Sequence, residues 1–157
     1  MAVKIVRFRF ERTFPVPPDY AYLWYTDTRE EDAQIGRNLK RRTILARGPD
    51  FVEIEEEAEF IGQRIVARLR LTRSPPNRWR VEGSAKHGTV ATRYHLTADP
   101  AGCRLTIESE WRFTTWVRFF VPFFRSRLTR ELTAEVDDFR AALERDFAAG
   151  KPAVSPP

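Results

Sequence analysis

The sequence predicts an α+β fold: a curled antiparallel sheet of about seven strands, two short N-terminal helical segments and one long C-terminal helix. Two observations carry this prediction. Short runs with an apolar residue at every second position follow one another, separated by Gly, Pro, Asn and Asp. The last third then holds one apolar stripe at helical spacing.

Val3 to Phe14 forms the first strand, with Val6, Phe8 and Phe10 on one face and Arg7, Arg9 and Glu11 on the other. Val16-Pro17-Pro18 breaks it. Pro18 suits an early helical position, where its missing N–H is no loss, and Asp19 suits the first turn. A short helix spans Asp19 to Tyr25, with Tyr20, Ala21 and Trp24 inward. A second helical turn covers Arg29 to Ile35, with Gly36 as its stop. Strands follow at Lys40 to Arg47, Phe51 to Phe60, Gln63 to Thr72, Arg78 to Ser84, Thr89 to Ala98 and Arg104 to Phe113. Their connections are short, so neighbours pair antiparallel. Nearly every strand has an apolar face, which something must cover, and a charged face.

The cover is the helix Phe124 to Phe147. Phe124, Leu128, Leu132, Val136, Phe139, Leu143 and Phe147 make its stripe; Arg127, Arg130, Glu131, Glu135, Asp138, Arg145 and Asp146 make its polar side. Residues 1–149 are expected to form a single ligand-binding domain and residues 150–157 a flexible tail.

The chain has 157 residues, 42% apolar and 31% charged, a globular composition. Its start has no signal-peptide core and no stretch approaches the ~20 apolar residues of a membrane span, so a cytoplasmic location is expected. Cys103 is the only cysteine, which excludes an internal disulfide. The net charge of +5 comes almost wholly from arginine. The arginines are spread over many strands among 22 acidic residues, with no nucleic-acid-binding pattern, so nucleic acid is not an expected partner. His87 falls in a turn and His95 on a solvent-facing strand side; no metal site and no cofactor are expected. Phosphate-loop, dinucleotide, serine-hydrolase and zinc-protease motifs are absent.

A sheet closed by one helix either fills the space between them or leaves an apolar pocket. Inward polar residues mark where a ligand's polar end would sit. Alternation in Phe51 to Phe60 puts Glu56 on the apolar face with Val52, Ile54, Ala58 and Phe60. A buried carboxylate needs a partner. Arg12, Thr92, Tyr94 and Ser109 are the predicted partners and, with Trp79, Trp111, Leu128 and Leu132, the predicted ligand contacts. The alternatives are that Glu56 touches water at the open end of the sheet, that a bulge shifts the phase, or that it works as a general acid or base. No second carboxylate has a clear inward position. Trp116 to Arg127 holds five aromatic residues and three arginines. Trp116, Phe119, Phe120 and Phe123 there complete the core, form a lid, or touch an anionic membrane.

Val16-Pro17-Pro18-Asp19-Tyr20-Ala21-Tyr22-Leu23-Trp24-Tyr25-Thr26-Asp27, with the final helix positions Val136, Phe139, Leu143 and Phe147, resembles the START/Bet v 1-like helix-grip superfamily. The resemblance spans positions 3 to 147 and is nearest the polyketide cyclase/dehydrase and lipid-transport group. Arg29-Glu30-Glu31-Asp32 departs from the more aromatic second helix usual there. The resemblance implies a cavity between sheet and helix for a hydrophobic or amphipathic small molecule. Some such proteins carry sterols, lipids or quinones; others cyclise or aromatise polyketides. Binding or transport is therefore the expected function, an acid–base cyclase or dehydratase the second, and a packed interaction module the third.

Overall fold

In a computed structural model, which describes residues 2–156, the chain runs in this order. Strand β1 (Lys4–Phe14) leads to α1 (Pro18–Thr26) and a 3₁₀ turn (Glu30–Gln34). Strands β2 (Leu39–Arg47), β3 (Phe51–Phe60), β4 (Gln63–Ser74), β5 (Arg78–Ala85), β6 (Gly88–Asp99) and β7 (Gly102–Phe113) follow. A second 3₁₀ turn (Trp116–Phe119) then opens into α2 (Val121–Ala148). Both helices carry their proline at the first turn, Pro18 and Pro122, where no donor is lost.

All seven strands form one antiparallel sheet in the order β1-β7-β6-β5-β4-β3-β2. The sheet is not strongly curled, unlike the expectation from sequence. β1 and β2 remain its two edges, and side chains rather than a strand pairing bring α2 across both. On the β1 side, Arg12 Nε donates to Asp137 Oδ1 at 2.7 Å. Past the 3₁₀ turn, Arg37 holds Asp138 at 2.7 Å, and the Asn38 amide donates to the Glu131 carbonyl at 2.9 Å.

The β3–β4 turn is Ile61-Gly62, both left-handed (φ 51° and 71°). That pair of positive angles matches a two-residue hairpin turn, for which glycine is apt and a β-branched residue is not. Ile61 is held there because its N–H donates to Glu131 Oε2 at 2.7 Å, which ties the hairpin tip to α2.

The outward faces carry cross-strand ion pairs: Arg7–Glu110, Arg9–Glu108, Arg93–Glu108, Arg68–Glu55 and Arg70–Glu53. Glu57, expected to be solvated, is on that side but buried, covered by Arg41 at 3.6 Å and by Arg64.

Two apolar clusters hold the layers together. One gathers Phe14, Val16, Ala21, Tyr22, Trp24, Leu71, Trp79, Leu96, Leu105 and Leu143 around α1. The other gathers Val6, Phe8, Leu39, Phe60, Val121 and Leu128 near the start of α2. Past Gly150, Lys151 and Ser155 make contacts with α1 and with Asp27 just after it. The Tyr20 hydroxyl donates to the Lys151 carbonyl at 2.8 Å, and Ser155 N–H donates to Asp27 at 2.8 Å.

Candidate functional site

Between the two clusters the inward faces are not fully covered. Along β4, Leu71 is buried, but Leu69, Ala67 and Ile65 are half-buried on the same face. On β5 and β6, Trp79 and Leu96 are buried, while Val81, Tyr94 and Val90 are half-buried. Across from them Leu132, Val136 and Phe139 of α2 are half-buried too. Alternation aims all these side chains at the helix layer, so their remaining exposure faces the gap between sheet and helix.

A polar group lies in that gap. Glu56 is inward, as the alternation of β3 requires, and its partner is Arg42. Arg42 Nε and Nη2 both donate to Glu56 Oε1, at 2.8 and 2.6 Å. Arg42 Nη1 donates to Asp32 Oδ2 at 2.6 Å. One guanidinium thus joins β2, β3 and the 3₁₀ turn. Burial raises the Asp32 carboxyl against the opposing pull of Arg42. Asp32 Oδ2 also accepts the Arg29 N–H at 3.1 Å, and Arg29 Nε lies 3.4 Å from Oδ1. The β2–β3 register shifts between Leu39 and Arg41, leaving Lys40 as an extra residue. This bulge turns Leu39 and Arg42, three apart, to the same side. No alternation rule puts them there.

The predicted partners of Glu56 are arranged differently. Arg12 is spent on Asp137 of α2. Thr92 and Ser109 are buried and bonded to each other at 2.8 Å, and Trp111 Nε1 donates to Ser109 Oγ at 2.9 Å. Tyr94 is the one predicted partner near Glu56: burial, then the Glu56 charge, push its phenol well above the ordinary range. Its ring stacks on Trp79 at 4.9 Å and 6°. Trp79 also meets Tyr22 and Tyr25 within the first core cluster, and Leu128 is packed in the second. Leu132 and Trp111, both half-buried, pack against that second cluster.

Sequence reasoning put Glu135 on the polar side of the last helix and found no second inward carboxylate. The structure corrects both statements. Glu135 enters the gap beside Glu56 and Arg42, and its carboxyl is pushed up to about 7, by burial first and then by Glu56. Room for it comes from Gly36, which is not a left-handed helix stop: a Cβ there would lie 2.6 Å from Glu135 Oε1. The glycine was visible in the sequence, but the use made of it was not.

His87 Nδ1 lies 2.9 Å from Thr115 Oγ1, and its ring meets Trp116 edge-on at 5.9 Å. His95 is half-buried against Asn77 at 3.4 Å. Cys103 is fully buried, its thiol pushed up to about 11 by burial and by Asp99. A cleft of about 600 Å³ opens between the first 3₁₀ turn, α2 and Ser155. Its lining, including Arg29, Glu31, Asp138 and Arg145, is mainly charged.

Of the three roles open to the aromatic turn, the structure excludes one. Trp116, Phe119, Phe120 and Phe123 do not complete the core; they are 64%, 64%, 51% and 82% exposed. Val121 and half-buried Phe124 supply the packing there instead.

By sequence, no family model and no curated protein matches the chain. By structure it is similar to many solved proteins. The Zhui aromatase/cyclase from Streptomyces sp. R1128 aligns at TM-score 0.77 and 13% identity, over 96% of this chain and 99% of that one. TTHA0849 from Thermus thermophilus aligns at 0.76 and 17%, over 92% and 99%. A START superfamily protein from Mycobacterium smegmatis aligns at 0.59 and 16%, over 86% and 98%. The chain therefore has the helix-grip fold of the START/Bet v 1-like superfamily.

Proposed function

We propose that the chain binds a hydrophobic or amphipathic small molecule between the sheet and α2. The observation that carries this reading is the half-burial of inward apolar side chains, Leu69, Val81, Val90, Leu132 and Val136, between two well-packed clusters. Covering such surface yields roughly 25 cal/mol per Å² before ordering costs. The polar end of the ligand meets Arg42, Glu56, Tyr94 and Glu135. A guanidinium shared by two carboxylates, beside a third carboxyl raised to about 7, suits a hydroxyl or carbonyl better than a full negative charge. Native mass spectrometry of the purified chain, followed by solvent extraction, tests this. A stoichiometric apolar molecule supports it; an empty protein that also fails to take up a hydrophobic fluorescent probe refutes it.

One observation favours a second reading, acid–base catalysis on a bound polyketide-like substrate. A carboxyl near pH 7 beside a buried phenol is poised to exchange a proton with a carbonyl or its α-carbon. The solved neighbour named as an aromatase/cyclase makes that reaction class the first to assay. Under this reading Glu135→Gln and Tyr94→Phe keep binding and lose turnover.

A further inference from the structure

The turn that carries Trp116 and Phe123 is ordered by its own hydrogen bonds while its rings face water. Arg118 N–H donates to the Thr115 carbonyl at 3.0 Å, Phe120 N–H to Val117 at 2.9 Å and Phe123 N–H to Phe120 at 2.9 Å. Buried Val121 pins the following turn. The rings brace one another: Trp116 meets Phe120 at 5.7 Å, and Phe120 meets Phe123 at 6.5 Å. Hydrophobic side chains this exposed and this well held are a built surface, because nothing in the fold benefits from their position.

Charge separates this end from the rest of the molecule. Elsewhere most arginines face a glutamate or aspartate. Between Glu110 and Glu131 the sequence has no acidic residue but five arginines, at 112, 118, 125, 127 and 130. The β5–β6 hairpin adds Lys86, and the start of β1, paired with Phe113, adds Lys4. Lys4, Lys86, Arg118 and Arg125 make no ion pair among the described residues. The Arg118 guanidinium lies 4.4 Å over the Phe119 ring, a cation carried on an aromatic face.

We propose that this end of the protein docks on the surface of an anionic lipid bilayer. Trp116, Phe119 and Phe123 enter the headgroup–acyl boundary, and the unpaired lysines and arginines meet phosphates. No helix among the described residues is long and apolar enough to cross a membrane, so the contact is peripheral. A second copy fits poorly: a two-fold contact through this patch sets each Arg118 and Arg125 against like charges. The docking is independent of the ligand reading, although Phe124 and Phe113, in edge contact at 5.8 Å behind the turn, join it to the second core cluster.

The test is co-sedimentation of the full chain with phosphatidylcholine vesicles, with and without an equal share of phosphatidylglycerol. Pelleting is expected with the anionic vesicles only and should weaken as salt is raised. Phe119→Ser with Phe123→Ser should abolish it. Lys86→Gln with Arg125→Gln should lower partitioning roughly thirty-fold. Brominated lipid should quench a fluorescence component that Trp116→Phe removes, since Trp24 and Trp79 are buried. All substituted side chains are solvent-facing, so an unchanged melting temperature checks folding; if the serine pair unfolds, the charge pair decides. No pelleting, or pelleting equal in the substituted proteins, overturns the proposal. So does a solution dimer that the serine pair dissociates, or binding to polyglutamate without binding to vesicles.

Discussion

A carboxylic acid that titrates near neutrality, as Glu135 does at about 7, ties the fold's stability to pH. Its ordinary value is 4.5, so between those two pH values the unfolded chain has lost a proton that the folded chain keeps. Stability therefore falls as pH rises through that window and levels off above it, by at most roughly 3 kcal/mol. Urea unfolding at pH 5 and pH 8 checks this, with Glu135→Gln as the control. The wild type should lose stability at the higher pH relative to the variant, and an equal response from both proteins refutes it. Arg42 gives a second prediction. Arg42→Ala leaves Glu56 and Asp32 buried without their cation, which costs about 3–5 kcal/mol, readable as a lowered urea midpoint. Of Glu56, Arg42 and Glu135 only Glu56 was legible in the sequence, because β3 alternates without a break. Arg42 was hidden by the bulge at Lys40, and bulges leave no mark in an alternation pattern. Glu135 was hidden because a helical stripe treats both its flanks alike, whereas one flank here faces the Gly36 loop.

At the scale of elements, α2 is a rod fixed at its ends and loosely covered at its middle. Leu143 is fully buried and Leu132 only half-buried, although both sit on one stripe. Leu143→Ala should cost about 2–5 kcal/mol and Leu132→Ala much less, since no new cavity forms where space already exists. Similar losses at both sites, measured by chemical unfolding, would show a filled interior. Ligand affinity should respond in the opposite order. The helix itself was easy to find from sequence, although it begins at Val121, three residues before the stripe that predicts it. For the aromatic turn before it, three roles stayed open in the sequence for a physical reason: hydrophobicity tells which residues avoid water on their own, not whether the fold has a place for them. Glu131 shows the same limit. It looks like a solvated residue of the polar side, yet it accepts the Ile61 N–H and holds the β3–β4 tip.

For the whole molecule, the antiparallel run from β2 to β7 and the covering helix followed from short connections and alternation, while the β1–β7 pairing and the degree of curl did not. Curl depends on whether β1 and β2 approach each other; here they stay the two edges, and α2 meets Arg12 of β1 and Arg37 before β2 by separate ion pairs. Such an arrangement gains most from a molecule that fills its middle. An apolar ligand at a hundred times its dissociation constant should stabilise the chain by about 2.7 kcal/mol, seen as a higher melting temperature. Cys103 turns this into a direct readout. Because its sulfur has no exposed surface and its thiol ionises only near 11, a thiol reagent meets it only when the first core cluster opens. The native chain thus carries a built-in clock for its own opening, and the rate of that single alkylation, slowed by whatever fills the gap, can be followed without altering one residue.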